Sequence, residues 1–333
     1  MSGVETALAA IRRFAAAGDG RPRFLAIGSF DGVHRGHQWI LGRLADEARA
    51  AGAEAAAMTF DPHPRAVIRP HDAPPLLVTL ERRLELMREH GAERVLVVPF
   101  NRGFAALEPE AFVGRVLVDL LQVRRIFVGL SFTFGRGGRG TPALLRRIGE
   151  PLGITVRQME PILAEGRAVS STLVRRALQE GDVETALRCL GRPHAVTGTV
   201  LEGRRQGRAL GFPTANLADD GRVLWPGDGV YVVRARWQGG EAGGVANLGG
   251  RPTVDPDGPR LLEVHLLDVA ADLYGRPLEV KFIRRLRDVR RFPDVDALRE
   301  QISRDVRQAR QVLAEDGSLC YHATGLRRDG AGP

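Results

Sequence analysis

Short apolar runs alternate with helical patterns through residues 22 to about 160. The runs at 24–28, 55–60, 94–100, 125–130 and 154–159 predict strands. Helical spacing fills 38–51, 80–89, 109–121 and 142–150, with Gly52 and Gly91 where helix C-caps are expected. Strands separated by helices of this length imply βαβ units and a parallel sheet buried on both faces. The expected fold is a doubly wound α/β domain, whose ligands sit beyond the carboxyl ends of its strands.

Two short helices follow at 170–180 and 183–190, with Ser170 or Ser171 as the N-cap. Gly191-Arg192-Pro193 breaks this pattern, and the period then changes from helical to alternating at 195–201, 230–237, 244–248, 261–267 and 278–283. Turns rich in Gly and Pro separate these runs, which predicts a small antiparallel barrel. Leu298, Ile302, Val306, Ala309 and Leu313 form one apolar stripe, so a helix is expected to pack on that barrel. The expected division is therefore 1–190, 191–320 and a flexible tail at 321–333.

Composition narrows the classes. The chain of 333 residues has room for two cores, and no apolar stretch is long enough to cross a bilayer. The opening residues lack the uninterrupted apolar core of a secretory signal. Cys189 and Cys320 lie far apart and form no framework, which fits a reducing cytoplasm. The net charge of +8 raises nucleic-acid binding, yet Lys281 is the single lysine and the arginine pairs 82–83, 146–147 and 284–285 are interleaved with acids. Those pairs read as solvated helix faces, and no nucleic-acid recognition motif accompanies them. A P-loop ATPase is excluded, because no Gly-rich loop ends in Lys-Ser/Thr.

Chemistry concentrates first in FLAIGSFDGVHRGHQWIL, which places Gly28, Ser29, Phe30, Gly32 and Gly36 around His34 and His37 at the end of a strand. Glycines allow close approach of an anion, and the following helix start attracts it. The two histidines can neutralise charge that builds on a phosphate during transfer. By itself the His-x-x-His spacing also fits a satisfied pair, or a zinc site with His63 as third ligand. A second motif, Ser170-Ser171-Thr172-Leu173-Val174-Arg175, sets hydroxyls and Arg175 at a helix start suited to ATP phosphates. Read alone, it is a capped helix.

In the second half, Thr214 and Asn216 of GRALGFPTANL lie two residues apart on an extended chain and point the same way. Both could address a Mg²⁺–phosphate group, although a Pro-Thr-Ala-Asn stretch alone also reads as a turn. Glu263 stands inside the apolar strand LLEVHLL, either paired at the surface or held as a base.

The ordered set GSFDGVHRGHQ, TFDPHPR, VVPFNRGFAALEPEAFV, SSTLVRRAL and GDVETALRCLGRP, continued by PTAN, GVY, VANLGGRPT and DLYG, resembles the prokaryotic bifunctional riboflavin kinase/FMN adenylyltransferase (FAD synthetase) family over nearly the whole chain. The resemblance implies an HxGH-type nucleotidyltransferase domain followed by a flavokinase barrel. It further implies ATP and Mg²⁺ as cofactors and riboflavin and FMN as substrates; the charge pattern and the lack of a bilayer-length apolar stretch predict neither nucleic acid nor membrane as partner. Carried over by motif, Gly28, Ser29, Phe30, Gly36, Ser170, Ser171, Thr172 and Arg175 would bind ATP for adenylyl transfer, with His34 and His37 catalytic. Phe60, His63, Pro64, Ser131 and Phe132 would face the flavin there. In the barrel, Gly207, Arg208, Pro213, Thr214 and Asn216 would bind Mg-ATP, Glu263 would be the general base, and Arg287 and Phe292 would lie near flavin and nucleotide. One departure stands out: where the family carries an acidic or amide residue before the Phe of its GxDFRFG-like motif, this chain reads Gly129-Leu130-Ser131-Phe132, with the shorter, uncharged Ser131 and the apolar Leu130. This leaves a kinase with a weakened adenylyltransferase half as the alternative expectation.

Overall fold

The computed structural model describes residues 3–202, 211–249, 260–269 and 271–316. Among these the chain divides into two compact units, one of residues up to Pro74 with Val78–Val169, the other of Pro75–Leu77 with residues from Ser170 onward.

The first unit holds strands β1 (Arg23–Ile27), β2 (Glu54–Asp61), β3 (Arg94–Pro99), β4 (Val123–Gly129) and β5 (Thr155–Met159). They pair in the order β3-β2-β1-β4-β5, with every pairing parallel. All five β1 residues are buried. Leu25 and Ile27 enter one core, and Phe24 and Ala26 enter the other. That alternation is the two-sided burial expected of a doubly wound sheet.

Helices α1 (Gly3–Ala16), α2 (Arg35–Ala50), α3 (Pro64–Ile68), α4 (Leu80–Glu89), α5 (Arg102–Ala105), α6 (Pro109–Ala111) and α7 (Pro142–Gly149) surround the sheet. Leu41, Leu44 and Ala48 of α2 and Leu86 and Met87 of α4 fill one core. Ala7, Leu8 and Ile11 of α1 fill the other. Helix α1 was not anticipated, although its buried positions keep helical spacing. The segment expected as one helix over 109–121 continues past α6 as π-helical turns over Phe112–Leu120, which still bury Val113, Val116 and Leu117. Glycines 52 and 91 have φ of 60° and 114° directly after α2 and α4, as their expected capping role requires.

In the second unit, α8 (Ser171–Gln179) and α9 (Val183–Leu190) precede the barrel, so both lie upstream of the division expected after Leu190. Strands β8 (His194–Leu201), β9 (Ala215–Ala218), β10 (Gly229–Trp237), β11 (Gly240–Gly249), β12 (Leu261–Leu266) and β13 (Pro277–Arg287) close in the order β10-β11-β12-β9-β8-β13. A short hairpin, β6 (Leu163–Ala164) and β7 (Arg167–Ala168), completes the strands. Strand β9 escaped the apolar pattern because it is four residues long and carries Asn216. Inside the barrel Tyr231, Val233, Leu262, Val264, Val280 and Phe282 are buried. Their strand neighbours Val230, Val232, Val245 and Ile283 pack under Ala309 and Val312 of α10 (Val295–Asp316), with Val306 and Leu313 at the margin. Val306, Ala309 and Leu313 of the expected stripe, joined by Val312, thus cover one outer face of the barrel, while Leu298 and Ile302 are not among that cluster.

Candidate active sites

Strands β1 and β4 are neighbours at the point where strand order reverses, so the crevice beyond their carboxyl ends is the ligand position this topology provides. Residues 28–37 occupy it. Gly28 donates its N–H to Met58 at 3.1 Å, continuing the β1–β2 ladder by one residue. The chain then leaves the sheet through three left-handed residues, Phe30 (φ 49°), Gly32 (φ 78°) and Val33 (φ 36°). Two of them are not glycine, and such conformations persist only where surrounding contacts hold them. Phe30, Asp31 and Val33 are each 1% exposed or less.

His34 caps α2, and its Nδ1 accepts from the His37 N–H. The two imidazoles stack with centroids 3.7 Å apart and planes 19° apart, and the Phe30 ring lies 5.1 Å from His37. Gly36 makes this stack possible, since a Cβ there would come within 3.1 Å of the His34 ring. Burial, and next the neighbouring His34, hold His37 well below the usual imidazole range. Its Nδ1 is buried without a hydrogen-bond partner among the described residues. His63 caps α3, accepting from the Arg65 N–H at 3.2 Å, with Pro64 as the first helical residue. Among the described residues no three His, Cys, Asp or Glu side chains group as a metal set, so the zinc alternative finds no ligands there.

The expected flavin-side residues Phe60 and Phe132 terminate one aromatic chain. Phe60 meets Phe100 edge-on at 5.5 Å, and contacts continue through Phe104, Phe112 and Phe134 to Phe132, which stacks on Phe134 at 5.7 Å. This row runs from the end of β2 to the turn after β4. Leu130 is 49% exposed and Ser131 is exposed on that turn.

A residue missed by sequence reasoning lies beneath the loop. Arg83 was grouped with Arg82 as solvated surface, yet it is 2% exposed. It donates to the Ser29 carbonyl at 3.0 Å, and Thr59 Oγ1 donates to the same oxygen at 3.0 Å. Burial lowers the Arg83 guanidinium from its ordinary range, while Asp31, Asp61 and Glu81 pull it back. The available signal was spacing: Arg83 shares the buried i, i+3, i+4 stripe of α4 with Leu86 and Met87. The pair 284–285 also differs from expectation, since it lies on β13 and not on a helix.

In the second unit, Ser170 is the N-cap of α8, accepting from the Leu173 N–H at 3.2 Å. Ser171 is half-buried and Thr172 exposed on the first turn, and Arg175 donates from Nε to the Pro75 carbonyl at 2.8 Å.

On the barrel, Glu263 of β12 stands opposite Asn216 of β9 on one side and Asn247 of β11 on the other. Register partners share a face, so an acid is flanked by two amides on three adjacent strands. Asn216 is 8% exposed, and its Oδ1 is buried without a hydrogen-bond partner among the described residues. Thr214 is half-buried just before β9, and the Pro213 carbonyl lies 2.9 Å from His265 Nδ1. Asn247 was not singled out from sequence; its signal was a polar side chain alternating with apolar ones in VANLG. Gly207 and Arg208 lie outside the described residues. Arg287 is committed to α10: its Nη2 meets Asp305 Oδ2 at 2.8 Å, and its guanidinium lies 5.7 Å from the Phe292 ring.

Comparison with known proteins accords with both halves. A family model described as FAD synthetase matches residues 18–173, and one described as riboflavin kinase matches residues 190–313. A bifunctional riboflavin kinase/FMN adenylyltransferase of Pseudomonas fluorescens is 43% identical over 288 residues, covering 86% of this chain and 92% of that protein. The same-named protein of Escherichia coli K12 is 41% identical over 290 residues, covering 87% and 92%. A crystal structure described as a macrolide-efflux protein from Streptococcus pneumoniae matches with a TM-score of 0.78 at 30% identity, covering 88% of this chain and 95% of that one. Among the described residues no helix is long and apolar enough to cross a membrane. With both domain models in order and relatives aligned along most of their length, the chain belongs to the bifunctional riboflavin kinase/FMN adenylyltransferase family.

Proposed function

We propose that the barrel phosphorylates riboflavin with ATP, giving FMN and ADP, and that the α/β unit transfers AMP from a second ATP to FMN, giving FAD and pyrophosphate. The observation that carries this reading is the Asn216–Glu263 register pair, an acid beside a buried amide oxygen that no donor among the described residues satisfies. A hard, unpartnered oxygen suits Mg²⁺, which takes oxygen ligands. Asn216 with Thr214 would hold the ion, and bound there it would supply charge neutralisation for the ATP phosphates.

In the kinase reaction Glu263 takes the proton from the terminal ribityl hydroxyl as that oxygen attacks the γ-phosphorus. The oxygen–phosphorus bond to ADP breaks in line, and positioning supplies most of the rate. Pro213 and the preceding Gly207 and Arg208 are assigned to the nucleotide, Arg287 and Phe292 to the flavin side.

In adenylyl transfer an FMN phosphate oxygen attacks the α-phosphorus of ATP and pyrophosphate leaves. Gly28, Ser29, Phe30 and Gly36 are assigned to the ATP phosphates; Ser170, Ser171, Thr172 and Arg175 are assigned to ATP by their motif alone. His37 is neutral before ATP binds; an adjacent triphosphate favours its protonated form, so charge is neutralised where it develops. His34 stacks against His37 and fixes its ring. Phe60, His63, Pro64, Ser131 and Phe132 are assigned to the flavin, the phenyl rings by stacking. We place the enzyme in the cytoplasm.

The test is a chromatographic product assay with riboflavin, ATP and Mg²⁺. FMN followed by FAD is the expected outcome. FMN without FAD would overturn the second step, and neither product would overturn both.

A further inference from the structure

The Ser29–Phe30 peptide is held by an unusual arrangement. Its carbonyl accepts from Arg83 Nη1 and Thr59 Oγ1, both at 3.0 Å. Thr59 lies on β2 and is fully buried, so the carbonyl is drawn toward that strand. A trans peptide is planar with its C=O and N–H pointing in opposite directions, so the Phe30 N–H is aimed away from β2. Among the described residues no backbone carbonyl accepts from that N–H. The next residues carry the positive φ angles of the loop, and the stacked histidines follow them.

Arg83 is an expensive choice for a purely structural contact. A buried cation costs several kcal/mol unless it is well paired. Here the Asp61 carboxylate lies 4.0 Å away, too far for a hydrogen bond, and Nε is buried without a hydrogen-bond partner among the described residues. A neutral donor would satisfy the carbonyl at lower cost. A cation behind the carbonyl does something more: it polarises the peptide and strengthens the N–H on its far side as a donor to an anion.

We propose that Arg83 is a positioning residue for adenylyl transfer, holding the Ser29 carbonyl together with Thr59 so that the Phe30 N–H is presented to the triphosphate. Arg83 touches neither substrate; it acts through the loop. The inference rests on the assignment of adenylyl transfer to residues 28–37.

The test compares the full chain with Arg83→Met, Arg83→Lys, Thr59→Val and His37→Ala, measuring kcat and KM for FMN at saturating ATP in FMN adenylylation. Riboflavin phosphorylation by the same samples reports on the integrity of each preparation. Arg83→Met is expected to lower adenylylation kcat by about 10²-fold, the scale of a misplaced reacting group. KM for FMN stays within about twofold, since flavin binding is not addressed. Arg83→Lys restores part of the loss, and Thr59→Val shows a smaller loss of the same kind. Unchanged kcat in Arg83→Met beside an inactive His37→Ala would overturn the inference while leaving adenylyl transfer in place. If Arg83→Met fails to fold, an unchanged kcat in Thr59→Val would overturn it instead. A parent chain that makes no FAD from FMN would overturn the reading beneath it.

Discussion

Asn216 and Glu263 are direct register partners across β9 and β12, although they lie far apart in sequence. Their pairing puts a buried amide oxygen and an acid on one face of the barrel. Replacing Glu263 with Ala is expected to lower FMN formation by at least about 10²-fold, the scale of general-base catalysis. FAD formation from supplied FMN should persist. Loss of both activities in one purified sample would contradict separate sites.

Asn216→Ala separates ligand binding from folding. Its Oδ1 makes no hydrogen bond among the described residues, so truncation breaks none at that atom. The melting temperature should therefore move little, while the Mg²⁺ concentration needed for half-maximal kinase activity rises about tenfold or more, one lost charge-assisted contact. Titrating Mg²⁺ against kinase rate reads this directly; an unchanged midpoint would remove Asn216 from the proposed metal site.

His37→Ala should abolish FAD formation from FMN and ATP and spare the kinase. The side chain is buried against Phe30 and His34, so some destabilisation accompanies the loss. Specific activity should be normalised to the folded fraction by circular dichroism. FAD formation near the parent rate would end the proposed role.

His194 gives the barrel an acid sensitivity. It is 2% exposed, its Nε2 lies 2.7 Å from the Leu224 carbonyl, and burial lowers its pKa to about 4. The unfolded chain takes up this proton near pH 6.5, whereas the folded chain resists until about pH 4. Stability is therefore full above that range and falls as pH drops through it, by about 3 kcal/mol across the interval for one such proton. His194→Gln keeps a donor for Leu224 and does not titrate, so it should flatten the melting temperature between pH 7 and 4. An equally steep acid limb in the variant would assign the proton elsewhere.

Glu54 ties together the amino-terminal ends of β1, β2 and β3. Its carboxylate meets Arg23 Nε at 2.5 Å and Arg94 Nη1 at 2.6 Å, with Arg23 and Glu54 side chains 8% and 2% exposed. Glu54→Leu strands two guanidinium groups and should cost about 3–5 kcal/mol, because a broken buried pair leaves an uncompensated charge. Thermal inactivation of FAD formation should shift to lower temperature while kinase inactivation stays in place. Coincident shifts would show that the two units do not unfold separately.

Local sequence settled the elements wherever a strong period or a fixed chemistry was present. The change from helical to alternating spacing near Gly191 marks the passage to the barrel, and Ser170 is the N-cap its residue type predicts. The glycines and histidines of residues 28–37 could be grouped as one candidate site because they are contiguous. Strand β9 was not, since four residues with one asparagine carry no apolar alternation. The identity of Arg83 was visible but its burial was not: a guanidinium on an apolar stripe declares itself only when the stripe is seen facing a core.

Tertiary structure alone decided which distant residues became neighbours. Barrel closure set Asn216, Glu263 and Asn247 side by side, and sheet order put the loop after β1 at the reversal beside β4. Register between strands depends on how both faces of the sheet are filled, a condition spread over the whole core and absent from any single segment. Residues 28–37 by themselves carried the glycine and histidine pattern from which an anion-binding loop was expected. The stacking of His34 on His37, and the grip of Arg83 on Ser29, exist only because α2 and α4 pack on that sheet.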